Sequence, residues 1–430
     1  MPIKHKISNA SCKVLRQLHE AGYDAYIVGG AVRDILLDIE PKDYDIATNA
    51  TPEQVKSVFG RKARVIGRRF RLAHVFIDRT CFEVSTFRRE PTLEERKGRK
   101  DDSGLMVWSD NVFGSLEEDA KRRDFTVNSI YYDPENAEHE FEDYVGGIDD
   151  LNNKIVRAIG DPFVRIQEDP IRMIRACKLV AQYGFKLEEN LEKAIRKNVG
   201  LLTKCSKART LEEIYKILKK PYCKPTIEVC HELGVLQYLM PFLSDNWHSK
   251  EREDVCHLLG VRDQCLKNDD SIFPSRVTGL SLMILPFVNS AFKETEDELL
   301  WNNFAGVDKK LQSMIRRFLS PYRVPKYIIA KIRDSLILQP KLLAGNHRKR
   351  VQRHPEYPRA RDLFSILVSA YELDKEILVN WPDQKELMTM TDDDIPEPPK
   401  KSKSRPRRRK RSTKTDTQNS LKKPSPESDK

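Results

Sequence analysis

Two short segments near the N-terminus carry the residue types best suited to chemistry. Val28-Gly29-Gly30-Ala31-Val32-Arg33-Asp34 is followed by Lys42-Asp43-Tyr44-Asp45-Ile46-Ala47-Thr48. Two glycines after an apolar strand let backbone N–H groups approach a phosphate. Arg33 adds a permanent cation for the same group. Asp43 and Asp45 stand at i and i+2, so in an extended strand their carboxylates share one face. Such a pair suits divalent cations. Two ions about 3.5–4 Å apart can activate an attacking hydroxyl and steady a leaving pyrophosphate. A DxD pair alone is usually a solvated acidic edge; its conjunction with the Gly-Gly-Arg segment gives it chemical meaning. No GxxxxGK[ST] phosphate loop is present.

The surrounding pattern predicts the elements that hold these residues. Ile7, Cys12, Val14, Leu15, Leu18 and Ala21 have helical spacing, and Gly22 is a stop signal. Short β-like runs follow at Ala25–Gly29, Tyr44–Ala47, Arg64–Ile66, Leu72–Ile77 and Cys81–Phe87, predicting a small mixed sheet with helices. Residues 88–111 read as a polar loop. Ser115-Leu-Glu-Glu118 is a capping box, predicting a helix to about Ile130, and Tyr131–Gly147 reads as strand and turn. Beyond residue 160 strand signals nearly vanish. Asp169 as cap and Pro170 in a first turn open a helix through Tyr183. Later helices are expected at Leu211–Lys219, Thr226–Leu233, Glu251–Leu258, Lys309–Leu319 and Ala360–Leu373.

Charge is unevenly spread. The chain has 430 residues and a net charge of +11, but residues 400–430 hold 13 Lys+Arg against 3 Asp+Glu, leaving +1 for the rest. A uniformly basic surface is excluded. The length fits about two to four domains. The polar stretch Met1–Lys13 and the lack of an apolar run of about 18 residues predict a cytoplasmic protein without membrane insertion. The eight cysteines are scattered without a CxxC pair, so neither a disulfide framework nor a zinc site is expected.

The two opening segments resemble the nucleotidyltransferase superfamily, in the branch shared by tRNA CCA-adding enzymes and bacterial poly(A) polymerases. Glu117–Asn128, reading EEDAKRRDFTVN, resembles the helical motif of that family, and Glu168–Arg175, reading EDPIRMIR, its base-reading motif. Val65–Val75, reading VIGRRFRLAHV, is similar to a segment typical of the poly(A) polymerase side. The resemblance covers residues 10–245. It implies an α+β fold with a small mixed-sheet nucleotidyltransferase head over 1–150 and an all-helical neck over 151–220; helical patterns extend this to a body over 221–395, and the Lys, Arg, Ser, Pro and Thr composition predicts a disordered basic tail over 396–430. The resemblance further implies Asp43 and Asp45 as catalytic acids holding two Mg²⁺ ions, with Asp124 as a third acid; Glu83, on the expected strand Cys81–Phe87, ranks second for that role because it could point back at the metals. Gly29, Gly30, Arg33 and Arg123 would position a triphosphate, and Asn128 would reach the sugar. Asp169, Arg172 and Arg175 would read the base. The family pattern continues with a third arginine where Lys178 stands here, and a lysine lacks the planar fork.

Basic residues suggest where nucleic acid would lie. Arg68 and Arg69 stand beside the catalytic sheet. Arg348, Arg350 and Arg353 form a strip able to follow a single-stranded backbone, and Arg408 lies in the tail. The expected activity is template-free addition of AMP from ATP to single-stranded RNA 3′ ends, with RNA-decay proteins as further partners. CCA addition to tRNA is the alternative. A non-catalytic RNA-binding protein is the remote one, because every acid it would have lost is present.

Overall fold

The computed structural model describes residues 7–67, 71–91, 112–136, 140–268, 272–295, 298–301, 307–345 and 348–383. Seven strands form the head sheet: β1 (Ala25–Val28), β2 (Asp45–Thr48), β3 (Ala63–Ile66), β4 (Leu72–Ile77), β5 (Thr80–Thr86), β6 (Tyr131–Tyr132) and β7 (Phe141–Glu142). Their order is β3-β4-β5-β2-β1-β6-β7. β2 and β5 run parallel, and the other neighbours are antiparallel. Four helices accompany the sheet: α1 (Asn9–Glu20), α2 (Gly30–Leu36), α3 (Pro52–Phe59) and α4 (Leu116–Arg122).

The period of two sorts the strand side chains. Ile27, Ile46, Phe82 and Val84 enter the main core with Leu15 and Leu18 of α1 and Val55 of α3. Val28, Ala47 and Phe87 face the opposite way and pack on Ala120 of α4 and on Tyr131. Asp45 and Glu83 alternate onto this second face, at its solvent-exposed end.

The capping box at Ser115 forms as the sequence predicts, with Glu118 N donating to Ser115 Oγ and Ser115 N to Glu118 Oε2. The helix expected to reach Ile130 nevertheless stops at Arg122. Arg123 is extended, at φ −64° and ψ 172°. Asp124 Oδ1 takes the N–H of Phe125, and Phe125 bridges to Ala158 in antiparallel fashion. A local carboxylate and a bridge partner later in the sequence thus outbid the helical hydrogen bonds.

Among the described residues the neck and body are helical, apart from β8 (Ile155–Val156) and β9 (Lys186–Leu187), which pair in parallel. After α5 (Gly147–Asn152) come α6 (Pro162–Glu168), α7 (Ile171–Tyr183), α8 (Glu189–Asn198), α9 (Lys207–Leu218) and α10 (Cys223–Glu232). The body adds α11 (Leu236–Leu239), α12 (Pro241–Asp245), α13 (Lys250–Asn268), α14 (Arg276–Phe292), α15 (Val307–Phe318), α16 (Lys326–Leu343), α17 (Arg348–Gln352) and α18 (Tyr357–Ala370). α14 escapes a search for amphipathic spacing because it is buried nearly all round, with only five of its 17 residues outside the core. One apolar core runs from the sheet through Ile174 and Cys177 of α7 and Leu218 of α9 into α14. A second, around Leu342, Tyr357 and Trp381, closes the far end. Among the described residues no helix is long and apolar enough to cross a membrane.

Candidate active site

Gly29 ends β1 and caps α2 at φ +77° and ψ −131°, a conformation L side chains rarely adopt. A Cβ there would lie 3.8 Å from both Arg123 Nη1 and the Asn128 carbonyl oxygen. The glycine turn, the RRDF segment and the start of α2 therefore meet. Gly30 opens the helix, with Arg33 one turn on.

Arg33 is buried and heavily engaged. It bonds Asp34 Oδ1 at 2.8 Å, Tyr183 Oη at 2.5 Å and Asn128 Oδ1 at 2.5 Å, and its guanidinium lies 4.4 Å over the Tyr183 ring. Tyr183 in turn donates to Asp34 at 2.7 Å. Arg33 thus ties the glycine turn to the last turn of α7. Asn128 passes the connection on: its amide donates to Asp124 Oδ1 at 3.2 Å, and Arg175 approaches Asp124 Oδ2 at 3.4 Å. This polar chain joins the glycine turn to the neck helix.

The acids lie beside it. Asp45 is in register with Val28 on one side and Glu83 on the other, so Asp45 and Glu83 stand side by side on one face. Desolvation, then Glu83, raises the Asp45 carboxyl pKa; Arg123 opposes the shift and Asp43 adds to it. The excess negative charge and all-oxygen donor set fit a hard dication, which commonly takes one or two carboxylates plus phosphate oxygens. Among the described residues no three His, Cys, Asp or Glu side chains form a ready metal group. Arg123 contacts Asp119 at 2.9 Å and Tyr131 Oη at 2.9 Å. Burial works against its charge, but these two partners more than offset it and raise its pKa.

On the neck side, Asp169 accepts Arg209 on both oxygens, at 3.1 and 2.9 Å, and takes the Ile171 N–H at 3.3 Å. Arg172 bonds the Arg165 carbonyl oxygen at 2.6 Å and Glu168 at 3.2 Å. Lys178 reaches buried Glu213 at 2.8 Å, so in this structure it faces α9. Two positioning residues were not legible in the sequence. Arg209 holds Asp169 across 40 positions. Arg165, which is buried, donates to the backbone oxygens of Arg122 and Arg123 at 2.5 and 2.8 Å, clamping α6 to the RRDF segment. Pairing across such separations leaves no local signal.

The expected RNA contacts are less concentrated. Arg68, Arg69, Arg408 and the Arg348 side chain lie outside the described residues. Arg350 and Arg353 are exposed, on and just after α17, which packs against α16.

Comparison with known proteins follows the same lines. A family model described as the poly(A) polymerase head domain matches residues 25–157. One described as the probable RNA and SrmB-binding site of polymerase A matches residues 184–246. Poly(A) polymerase I of Escherichia coli O6:H1 is 34% identical over 90% of this chain and 86% of its own. The CCA-adding enzyme of Bacillus pumilus is 37% identical over 58% of this chain and 63% of its own. Among solved structures, the Bacillus stearothermophilus CCA-adding enzyme in complex with CTP aligns at TM-score 0.59 and 24% identity, covering 86% of this chain and 81% of its own. That likeness extends the shared fold through the helical body. With its mixed-sheet head, its glycine turn and a DxD pair whose second acid opens β2 while Asp43 precedes the strand, the chain is an enzyme of the tRNA nucleotidyltransferase and poly(A) polymerase family.

Proposed function

We propose that this enzyme transfers AMP from ATP to the 3′ hydroxyl of RNA, without a template, and releases pyrophosphate. The observation that carries this reading is the extent of similarity. The match to poly(A) polymerase I spans 90% of the chain, whereas the match to the Bacillus pumilus CCA-adding enzyme spans 58%.

In this reading Asp43 and Asp45 hold Mg²⁺. Bound there, the metal supplies Lewis acidity to the α-phosphate and lowers the pKa of the attacking hydroxyl. We assign the third carboxylate to Glu83. Its support is the register with Asp45 and the direct electrostatic coupling between the two. Asp124 receives a different role here, because it already serves Phe125 N–H, Asn128 and Arg175. It holds the neck against the head and, through Asn128, places the sugar. Gly29, Gly30 and Arg123 meet the triphosphate, with Arg33 fixing the turn from behind. Asp169, Arg172 and Arg175 read the base edge. Asp169 must exchange Arg209 for the incoming base, so base reading includes a switch of partner.

The test is Asp43→Asn. Asp43 is exposed, so the variant should keep the parent's thermal unfolding curve while losing incorporation of labelled ATP by at least about 100-fold. Near-normal extension would refute the metal-binding role.

A further inference from the structure

We propose that the cleft between α9, α14 and α16 seats the single-stranded RNA upstream of its 3′ end. Tyr327 stacks on a base there, and Lys207, Arg276 and Arg323 meet the phosphates. The proposal rests on the RNA-extension reading above and assigns it a substrate-binding surface.

Two adjoining cavities of about 720 and 470 Å³ share Arg276, Tyr327 and Ile328 in their walls. Large aromatic rings normally leave water, yet Tyr327 is 56% exposed and Phe273, on the second cavity, 46% exposed. Arg276 lies 4.7 Å over the Tyr215 ring and donates to Tyr327 Oη at 3.4 Å, a planar cation between two rings. The buried Tyr215 hydroxyl has no hydrogen-bond partner among the described residues, and an unmet buried polar group is costly. Among the described residues no carboxylate lies within ion-pair distance of Lys207, Arg276 or Arg323. Glu212 and Asp362 are the acids on the walls. Uncompensated cations interleaved with exposed rings match a strand-tracking groove, where charge follows the backbone and rings take bases of any identity. An acidic peptide would use the cations but leave the rings unexplained.

The position suits this role. Arg209 and Glu213 turn one face of α9 toward the α6–α7 junction and α7, where they hold Asp169 and Lys178 respectively. Lys207, Leu211 and Tyr215, at i, i+4 and i+8, line the cleft with the other face. A single helix, about 10 Å thick, therefore separates the base-reading residues from the cleft.

The experiment uses the full chain and its Tyr327→Ala, Tyr327→Phe and Arg276→Ala variants. Fluorescence anisotropy gives the Kd for oligoadenylate over a salt series, and steady-state extension gives KM for RNA. Tyr327→Ala should weaken binding about tenfold and Tyr327→Phe, which keeps the ring, less than about twofold. Arg276→Ala should weaken binding and lower the salt slope by about one. KM for RNA should rise in step with Kd. Unchanged affinity in Tyr327→Ala and Arg276→Ala overturns the proposal, and would leave the cleft to a protein segment. If the parent chain fails to extend RNA, the functional reading falls, while the anisotropy series still decides the cleft.

Discussion

Arg33 and Asn128 share a 2.5 Å hydrogen bond that joins the glycine turn to the end of the RRDF segment. Arg33 continues to Tyr183, and Asn128 to Asp124 and Arg175. The glycine turn and the neck helix α7 are thus one connected unit. In the proposed reading ATP would present its triphosphate to one end and its base to the other, with the chain fixing the distance between them.

Breaking that bond should cost both stability and activity. In Asn128→Ala, Arg33 and Asp124 lose a shared partner at a site with little access to water, a loss of about 1–3 kcal/mol. Chemical unfolding should report this cost, and steady-state kinetics should show a higher KM for ATP. A variant as stable and active as the parent would show that the connection is incidental.

Glu83 and Asp124 should fail in different ways. Glu83 is exposed, so Glu83→Gln should leave the fold intact and lower the single-turnover rate by at least about 100-fold. Asp124→Asn should instead lower the melting temperature and loosen ATP binding, with a smaller loss in the chemical step. A larger loss of single-turnover rate in Asp124→Asn would return the third-carboxylate role to Asp124.

The Lys178–Glu213–Lys216 cluster gives a pH signature of stability. Although burial alone would raise it, Lys178 and Lys216, each at 2.8 Å, lower the Glu213 pKa from 4.5 to about 2. The folded pKa lies below the unfolded one. The Glu213 contribution is therefore complete above pH 4.5 and fades as pH falls toward 2. Glu213→Gln should be clearly less stable than the parent at pH 7, with the gap narrowing below pH 4.5. A gap independent of pH would assign Glu213 a packing role alone.

The basic C-terminal segment should affect affinity without affecting choice. Residues 400–430 carry a net +10. Their deletion should weaken RNA binding and flatten its salt dependence, while the ratio of ATP to CTP use stays constant. A changed ratio would tie the segment to nucleotide selection.

The acids, the glycine turn and the capping box at Ser115 were legible because each depends on residues within a few positions of one another. What the sequence concealed depends on partners brought together by the fold. Arg33 reads as a phosphate ligand, yet its nearest contacts include Tyr183, 150 positions away. Glu83 is only a second candidate for the third acid in the sequence, until the parallel pairing of β2 and β5 sets it beside Asp45. Lys178, where the family pattern has arginine, is accounted for by Glu213 on the next neck helix but one. α14 lacked an amphipathic stripe because nearly all of its faces are covered.

The most direct measurement supplies ATP or CTP singly, with Mg²⁺, to a generic RNA and to a tRNA lacking its 3′ CCA, and resolves the products by length. Long A tracts on the generic RNA, with poor CTP use on either substrate, are expected. Efficient CTP use confined to the tRNA would contradict the proposed function and identify a CCA-adding enzyme.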